Sequence, residues 1–168
     1  MTKQVAQGLM LALVLVASCK KSNHSSTPAG GTITATVDGT PMTFNNILIA
    51  KDTNYLGAYA LTMSGISSLT STAPELSITV DGTAAVTTGT YSMNASGMTT
   101  DLPGLGFSQG TTLVYESDVT GTYPSSVVIT TLTKTNVQGT FSGTLTLSLG
   151  SGATTKTITD GKFNVNFK

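Results

Sequence analysis

The stretch that decides the fold lies near the carboxyl end of the chain and reads Val137-Gln138-Gly139-Thr140-Phe141-Ser142-Gly143-Thr144-Leu145-Thr146-Leu147-Ser148-Leu149. Its odd-numbered residues are apolar or glycine, and its even-numbered residues are Gln, Thr or Ser. Successive side chains of a β-strand point to opposite faces, so this alternation predicts a strand with one buried and one solvated face. We therefore predict that Phe141 lies in the core and that Thr140 faces solvent.

The same alternation recurs along the chain. Ile33, Ala35 and Val37 alternate with threonines, and Leu76 to Val80 alternates with Ser and Thr. Less regular apolar stretches complete a set of about eight to ten predicted strands, at residues 42–50, 55–63, 111–116, 126–134 and 162–167. In the stretch 55–63, Tyr55 and Tyr59 share parity with Leu61, which predicts that both tyrosines pack into the core.

Three Asp-Gly pairs mark changes of direction. Asp38-Gly39 and Asp81-Gly82 stand at strand ends and predict turns, since both residues tolerate positive φ. Asp160-Gly161 stands where the apolar parity shifts, which fits either a turn or a glycine bulge inside the last strand. Residues 94–110 have little periodicity and contain Pro103, Gly104 and Gly106, so this stretch is predicted to be a long loop.

These patterns predict an all-β, antiparallel fold. A β-sandwich is our first choice of architecture, and a closed or partly open meander β-barrel is the alternative. The chain has one cysteine and so forms no internal disulfide. Its net charge is zero and it contains no arginine, which argues against a nucleic-acid partner.

The amino terminus has the pattern of an export signal. Lys3 precedes an apolar run from Leu9 to Ala17, which is shorter than the roughly 20 residues that span a bilayer. Val16-Ala17-Ser18-Cys19 resembles the lipobox of bacterial lipoproteins, in which the cysteine receives lipid, such as palmitate, and the preceding signal is removed. We therefore expect a signal peptide at 1–18, a lipidated Cys19 with a flexible linker at 19–31, and one all-β domain at 32–168.

Four segments carry a family resemblance. The ends of the domain are Ile33–Met42, Val137–Phe141 and Ile158–Val165, and the predicted mature chain starts with Cys-Lys-Lys-Ser at Cys19–Ser22. Together they are similar to uncharacterised envelope lipoproteins of Bacteroidetes-type bacteria. The resemblance implies an all-β envelope domain on a lipid tether, and it offers no catalytic residues to carry over. It covers the two ends of the domain and not residues 50–120.

The domain lacks the residues of common catalytic sites. His24, the one histidine, lies in the linker, and no arginine or thiol follows Cys19, which excludes Ser-His-Asp and Cys-His arrangements and zinc sites built on His or Cys. Glu116 and Asp118 are the one pair of carboxylates spaced for a shared face. They fit either a charged strand edge or a two-carboxylate or calcium site. We expect no enzymatic activity, no cofactor and no metal.

Three functions stay open. A non-catalytic binding or adhesion module ranks first, a structural or assembly partner of another envelope protein second, and a hydrolase using carboxylates alone third. The expected partners are the membrane, through the lipid on Cys19, and a glycan or an envelope protein. We expect the protein to be anchored in the outer membrane of the cell envelope. The sequence leaves open whether the domain faces the periplasm or the outside of the cell.

The predicted ligand site lies in the loop of residues 94–110. No periodicity places its apolar side chains in a core, so we expect them to meet a ligand; they are Met98, Leu102, Leu105 and Phe107. Tyr91 and Tyr123 are further candidates for exposed contacts.

Overall fold

The computed structural model describes residues 30–93 and 101–167. The predicted signal peptide, Cys19, nearly all of the linker, and Met98 lie outside the described residues. The described part of the chain contains no helix long and apolar enough to cross a membrane.

Eleven strands make up the described part of the chain: β1 (Gly31–Val37), β2 (Thr40–Phe44), β3 (Asn46–Tyr55), β4 (Ala58–Ile66), β5 (Pro74–Gly82), β6 (Gly89–Met93), β7 (Leu102–Gln109), β8 (Leu113–Ser117), β9 (Ser125–Leu132), β10 (Asn136–Leu149) and β11 (Thr155–Asn166). Every pairing is antiparallel, in the order β2-β1-β11-β10-β8-β7-β5-β4-β3. The prediction of an all-β, antiparallel fold is confirmed.

Strand β10 organises the sheet. One of its edges pairs with β11 along nearly its whole length, and the other pairs first with β9 and then with β8. Strand β6 adds to the far side of β9. The sheet therefore forks beside β10, where β9 and β8 follow one another along the same edge.

The sheet curls into a nearly closed, barrel-like form with one unsealed seam. The seam lies where the end strand β3 comes close to β1 and β11 without a ladder of hydrogen bonds. All strands belong to one sheet, so the barrel alternative describes the architecture and the sandwich does not. Bulges in β3, β10 and β11 increase the local twist, which helps one sheet close on itself.

The core fills the inside of this curled sheet. Phe141 is buried and stacks on Phe163 with ring centroids 6.3 Å apart, whereas Thr140 is exposed. The predicted parity of β10 is confirmed as far as Leu145, which is fully buried, and Leu149 at the end of the strand is exposed.

Two of the three Asp-Gly pairs behave as predicted. Asp38 and Gly39 form the β1–β2 turn with φ values of 48° and 80°. Asp160-Gly161 forms a bulge, one of the two structures left open by the sequence, because Gly161 lies opposite Phe141 while the next aligned pair is Gly143 with Ile158. The prediction for Asp81-Gly82 is wrong in detail, since both residues are still paired within β5.

The predicted loop at 94–110 is wrong for residues 102–109, which form β7. Leu105 and Phe107 are buried in the core, and the intervening glycines face outward. A Cβ on Gly106 would lie 2.5 Å from Ser77 Oγ, so a larger residue there would have to displace that hydroxyl. Gly106 therefore leaves room for Ser77, and neither Gly104 nor Gly106 interrupts the regular backbone of β7.

Two smaller predictions are also wrong. Tyr55 is 76% exposed, because Leu56 and Gly57 form a tight turn that separates it from the strand of Tyr59. The pair Glu116 and Asp118 does not mark a sheet edge, since β8 lies between β7 and β10.

Candidate functional site

A shallow depression of the described surface lies across four neighbouring strands, β6, β9, β10 and β11. It has a volume of about 310 Å³. We call it the serine groove, and its lining residues are Ser92, Met93, Pro124, Ser125, Ser126, Ser142, Gly143, Thr144, Thr157 and Ile158.

Strand register builds one side of the serine groove. Ser92 is paired with Ser126, and Ser126 is paired with Ser142, so three serines stand in a row across three strands. Their chain neighbours Met93, Val127 and Phe141 are buried, which places this row on the outer face of the sheet. Ser92 Oγ and Ser126 Oγ are 3.4 Å apart, within hydrogen-bonding distance.

The opposite side of the groove is built where β10 changes partner. Thr144 is paired with Thr157 of β11, and its N–H donates to the carbonyl of Pro124 at a distance of 3.1 Å. Pro124 is the last residue before β9, so this bond joins the fork of the sheet to β10. The small side chains of both sides leave a shallow depression above the backbone between them.

The lining of the serine groove is neutral. It presents hydroxyl groups, each of which is both a donor and an acceptor, beside the apolar ring of Pro124. No lining residue carries a charge. Such a surface can hydrogen-bond a neutral ligand with many hydroxyls while contacting its C–H groups, and it offers no group for acid–base chemistry.

The Ser125 hydroxyl is not part of this chemistry. Its Oγ is buried and has no hydrogen-bond partner. The side chain points to the core, where the Cβ position of Gly143 would be 2.9 Å from Ser125 Cβ and 3.1 Å from Leu105 Cδ1. Ser125 therefore contributes backbone to the groove and a hydroxyl to the barrel interior.

Perturbed carboxylates lie outside the serine groove. Burial raises the pKa of Asp81, which stands at the end of β5. The pKa of Asp118 is lowered, chiefly because its carboxylate accepts hydrogen bonds from the hydroxyl and the N–H of Thr120. Asp118 thereby organises the loop between β8 and β9, and among the described residues no three His, Cys, Asp or Glu side chains group as a metal site.

A charged pair lies beside the serine groove, at the same end of β11 as Thr157, whose N–H donates to Asp38 Oδ1. Lys156 Nζ lies 2.8 Å from Asp38 Oδ2 and also within 5.4 Å of the ring centroids of Phe107 and Tyr115. Partial burial acts to raise the pKa of Asp38, but hydrogen bonds from Lys156 and Thr157 and the nearby positive charge outweigh it and lower that pKa.

The residues predicted as a ligand site do not line the serine groove. Leu105 and Phe107 are core residues, and Leu102 is half-buried at the start of β7. Our reason for assigning them to a ligand, the lack of a place in the core, is wrong for Leu105 and Phe107. Met98 and Cys19 lie outside the described residues.

The two tyrosines proposed for contacts differ from each other. The Tyr91 hydroxyl donates to the carbonyl of Thr87 and accepts from its N–H, so it braces the chain before β6. Tyr123 is partly exposed on the loop between β8 and β9.

Sequence reasoning missed the serine groove because its members come from four strands. The one local signal is the choice of Ser where most outward positions carry Thr, at Ser92, Ser126 and Ser142. Their alignment depends on register, which no single strand reveals.

Comparisons with known proteins give no indication of the function of this chain. No protein-family model matches the chain, and neither the curated proteins nor the solved structures searched contain a match.

Proposed function

We propose that this protein is a lipid-anchored lipoprotein of the bacterial cell envelope whose barrel-like domain is a non-catalytic binding module. The observation that carries the binding role is the serine groove, a neutral depression lined with hydroxyls across four strands. The proposed ligand class is a neutral, hydroxyl-rich molecule, namely a glycan.

The sequence supports the tether. Lys3, the apolar run to Ala17, and the small residues before Cys19 have the order and spacing of a lipoprotein signal. The family resemblance of the domain ends and of Cys19–Ser22 supports the same location, the outer membrane. The proposal leaves the membrane face open.

The composition of the groove supports a weak, repeated interaction. Its lining has no aromatic ring for a sugar to stack on and no charge, so a single site gains little from dispersion or ion pairing. Many copies anchored in one membrane raise the effective concentration of sites, which converts weak single contacts into useful avidity. This behaviour suits an adhesion module.

A matched pair of substitutions tests the groove. Ser142 and Thr140 are both exposed on the outer face of β10, two residues apart, but only Ser142 lines the groove. We expect Ser142→Tyr to fill the depression and remove glycan binding, while Thr140→Tyr retains it. Glycan arrays probed with the lipoprotein displayed on vesicles measure both, and urea unfolding checks that both variants are folded.

Two results contradict the binding proposal. The first is an array on which the intact protein retains no saccharide. The second is a folded Ser142→Tyr variant that binds as well as the intact protein.

The structural or assembly role is the second candidate, and one observation favours it. Leu48 and Ile49 stand together at the bulge of the end strand β3, and both are 42% exposed. Adjacent exposed aliphatic side chains on an end strand are typical of a protein contact. Loss of a specific envelope partner in Ile49→Lys, with retention in Ser142→Tyr, would support this role over glycan binding.

A further inference from the structure

One carboxylate adjoins the serine groove on its β11 side. Thr157 lines the groove, and its N–H donates to Asp38 Oδ1 at a distance of 2.8 Å. The carbonyl of Thr157 accepts the N–H of Asp38 at 2.9 Å. Asp38 is the first residue of the β1–β2 turn, so two hydrogen bonds join this turn to the backbone of the groove wall.

The Asp38 carboxylate is held in one orientation. Its Oδ1 accepts from Thr157, and its Oδ2 lies 2.8 Å from Lys156 Nζ. That ammonium lies 5.4 Å and 5.1 Å from the ring centroids of Phe107 and Tyr115, both of which are buried. The rings attract the cation and so hold it over the core. The carboxylate is therefore oriented before any ligand arrives, which lowers the entropic cost of binding to it.

The carboxylate is the exposed member of this ion pair. The side chain of Asp38 is 44% exposed, whereas that of Lys156 is 18% exposed. The next residue is Gly39, and a Cβ placed on it would meet nothing within 4 Å. The turn thus leaves open space beside Asp38, next to the groove residue Thr157.

The chemistry of the pair suits a hydroxyl-bearing ligand. A carboxylate has about four acceptor positions on its two oxygens. Thr157 and Lys156 each use one, on different oxygens, so each oxygen of Asp38 keeps a free position. Two neighbouring hydroxyls of a sugar can donate to the two oxygens of one carboxylate, and hydrogen bonds to an ionised acceptor are strong. Because Lys156 balances the charge, the pair favours such donors over a cation.

We propose that Asp38 binds two neighbouring hydroxyls of the glycan that occupies the serine groove, and that Lys156 is the positioning residue that holds its carboxylate. The inference rests on the proposed glycan-binding function and narrows the ligand class. The sugar unit at the β11 side of the groove must carry a vicinal diol. Asp38 also supplies the strong, directional contact that the neutral lining of the groove lacks.

A matched pair of substitutions tests the contact. Asp38 and Asp160 both precede glycine, both are exposed, and their φ values are 48° and 53°, a region that Asn tolerates. Glycan arrays are probed with the full-length lipoprotein displayed on vesicles. We expect Asp38→Asn to weaken binding of the retained neutral saccharides by about tenfold or more, because a hydrogen bond to an ionised group is lost. Asp160→Asn should bind as the intact protein does.

A substitution of Lys156 separates a ligand contact from a structural role of the turn. Lys156→Met leaves the carboxylate without its cation and keeps the bond from Thr157. The array carries each amino sugar both as the free amine and in its N-acetylated form. We expect Lys156→Met to shift preference toward the free amines, because an unpaired carboxylate attracts ammonium groups. The shift should vanish in the double variant with Asp38→Asn.

The outcomes distinguish this inference from the proposed function. Saccharide binding that is equal in the intact protein and folded Asp38→Asn, but lost in Ser142→Tyr, overturns the role of Asp38 and leaves the glycan-binding groove in place. An array on which the intact protein retains no saccharide overturns both. Equal losses in Asp38→Asn and Asp160→Asn, or a Lys156→Met variant that loses amine and N-acetylated forms alike, overturn the Asp38 contact as well. Urea unfolding checks that each variant is folded.

Discussion

At the scale of single residues, two buried hydroxyls stand out because they have no hydrogen-bond partner. Ser64 Oγ and Ser125 Oγ are both shielded from water. A buried hydroxyl without a partner loses its hydration and gains nothing in return, at a cost of about 1–3 kcal/mol. The barrel therefore contains two positions that are not optimised for stability.

We predict that Ser125→Ala stabilises the domain by about 1 kcal/mol, because it removes the unpaired hydroxyl and keeps the Cβ. Urea unfolding measures the change, and Ser148→Ala, at an exposed position of β10, is the control and should be nearly neutral. A loss of stability in Ser125→Ala would contradict the structural account of this hydroxyl.

A second residue-scale prediction concerns the ion pair of Asp38 and Lys156. The folded-state pKa of Asp38 lies below its ordinary value of 3.8, so the ionised form is favoured by folding. The stabilisation is present above that ordinary value and is lost as pH falls through the lower, folded-state pKa. We expect acid to destabilise the intact protein more steeply than Asp38→Asn over this range.

Urea midpoints collected across the acid range measure this difference. Lys156→Met serves as the matched control, because it removes the partner that holds the Asp38 pKa down and should flatten the same part of the profile. Parallel acid profiles for the intact protein and Asp38→Asn would show that the pair contributes nothing.

The pH dependence of stability that Asp81 contributes has the opposite sign to that of Asp38, because burial raises the pKa of Asp81. Its raised pKa means that the ionised carboxylate is disfavoured in the folded domain, so stability falls as pH rises through the ordinary and then the folded-state pKa. Asp81→Asn should therefore raise the urea midpoint at neutral pH and change it little in acid. A variant less stable than the intact protein at neutral pH would contradict the inference.

At the scale of elements, β10 is the strand on which the fold depends most. Its Phe141 ring packs on Phe163 and directly over Gly161, where a Cβ would lie 2.7 Å from the ring. We predict that Phe141→Ala destabilises the domain by about 3–5 kcal/mol, because it leaves a cavity in the core. Thr140→Ala should cost far less, and equal losses in urea would contradict the assigned faces of the strand.

The elements also show how far local sequence pattern reaches. The two-residue alternation of apolar and polar residues predicted the inward face of β10. The shift of parity at Asp160-Gly161 left a turn or a bulge open, and the structure contains the bulge. The prediction missed β7 because Gly104 and Gly106 occupy its outward positions, and glycines so close together are typical of a loop although the backbone here is a regular strand. The β3–β4 turn escaped because Leu56 stands where such turns usually carry Asn.

At the scale of the whole molecule, the local sequence pattern predicts neither the closure of the sheet into a barrel nor the serine groove, and the physical reason is the same for both. Alternating strands predict one wet and one buried face in a sandwich and in a barrel alike. The choice is made by which strands meet, and here β10 extends far enough to pair with both β8 and β9 on one edge. That long-range register curls the sheet and also aligns Ser92, Ser126 and Ser142.

The last prediction concerns how the molecule is held in the envelope. If Cys19 carries the lipid, Cys19→Ala should lose incorporation of radiolabelled fatty acid completely, because the chain has no other thiol to form the thioether. The variant should also leave the membrane fraction, since a lipid with several acyl chains is what makes such an anchor stable. His24→Ala, five residues further along, is a control that should keep both label and membrane attachment. Label that persists on Cys19→Ala would contradict the lipoprotein assignment. Separately, protease treatment of intact cells that carry the unmodified protein or the His24→Ala variant reports which membrane face displays the domain.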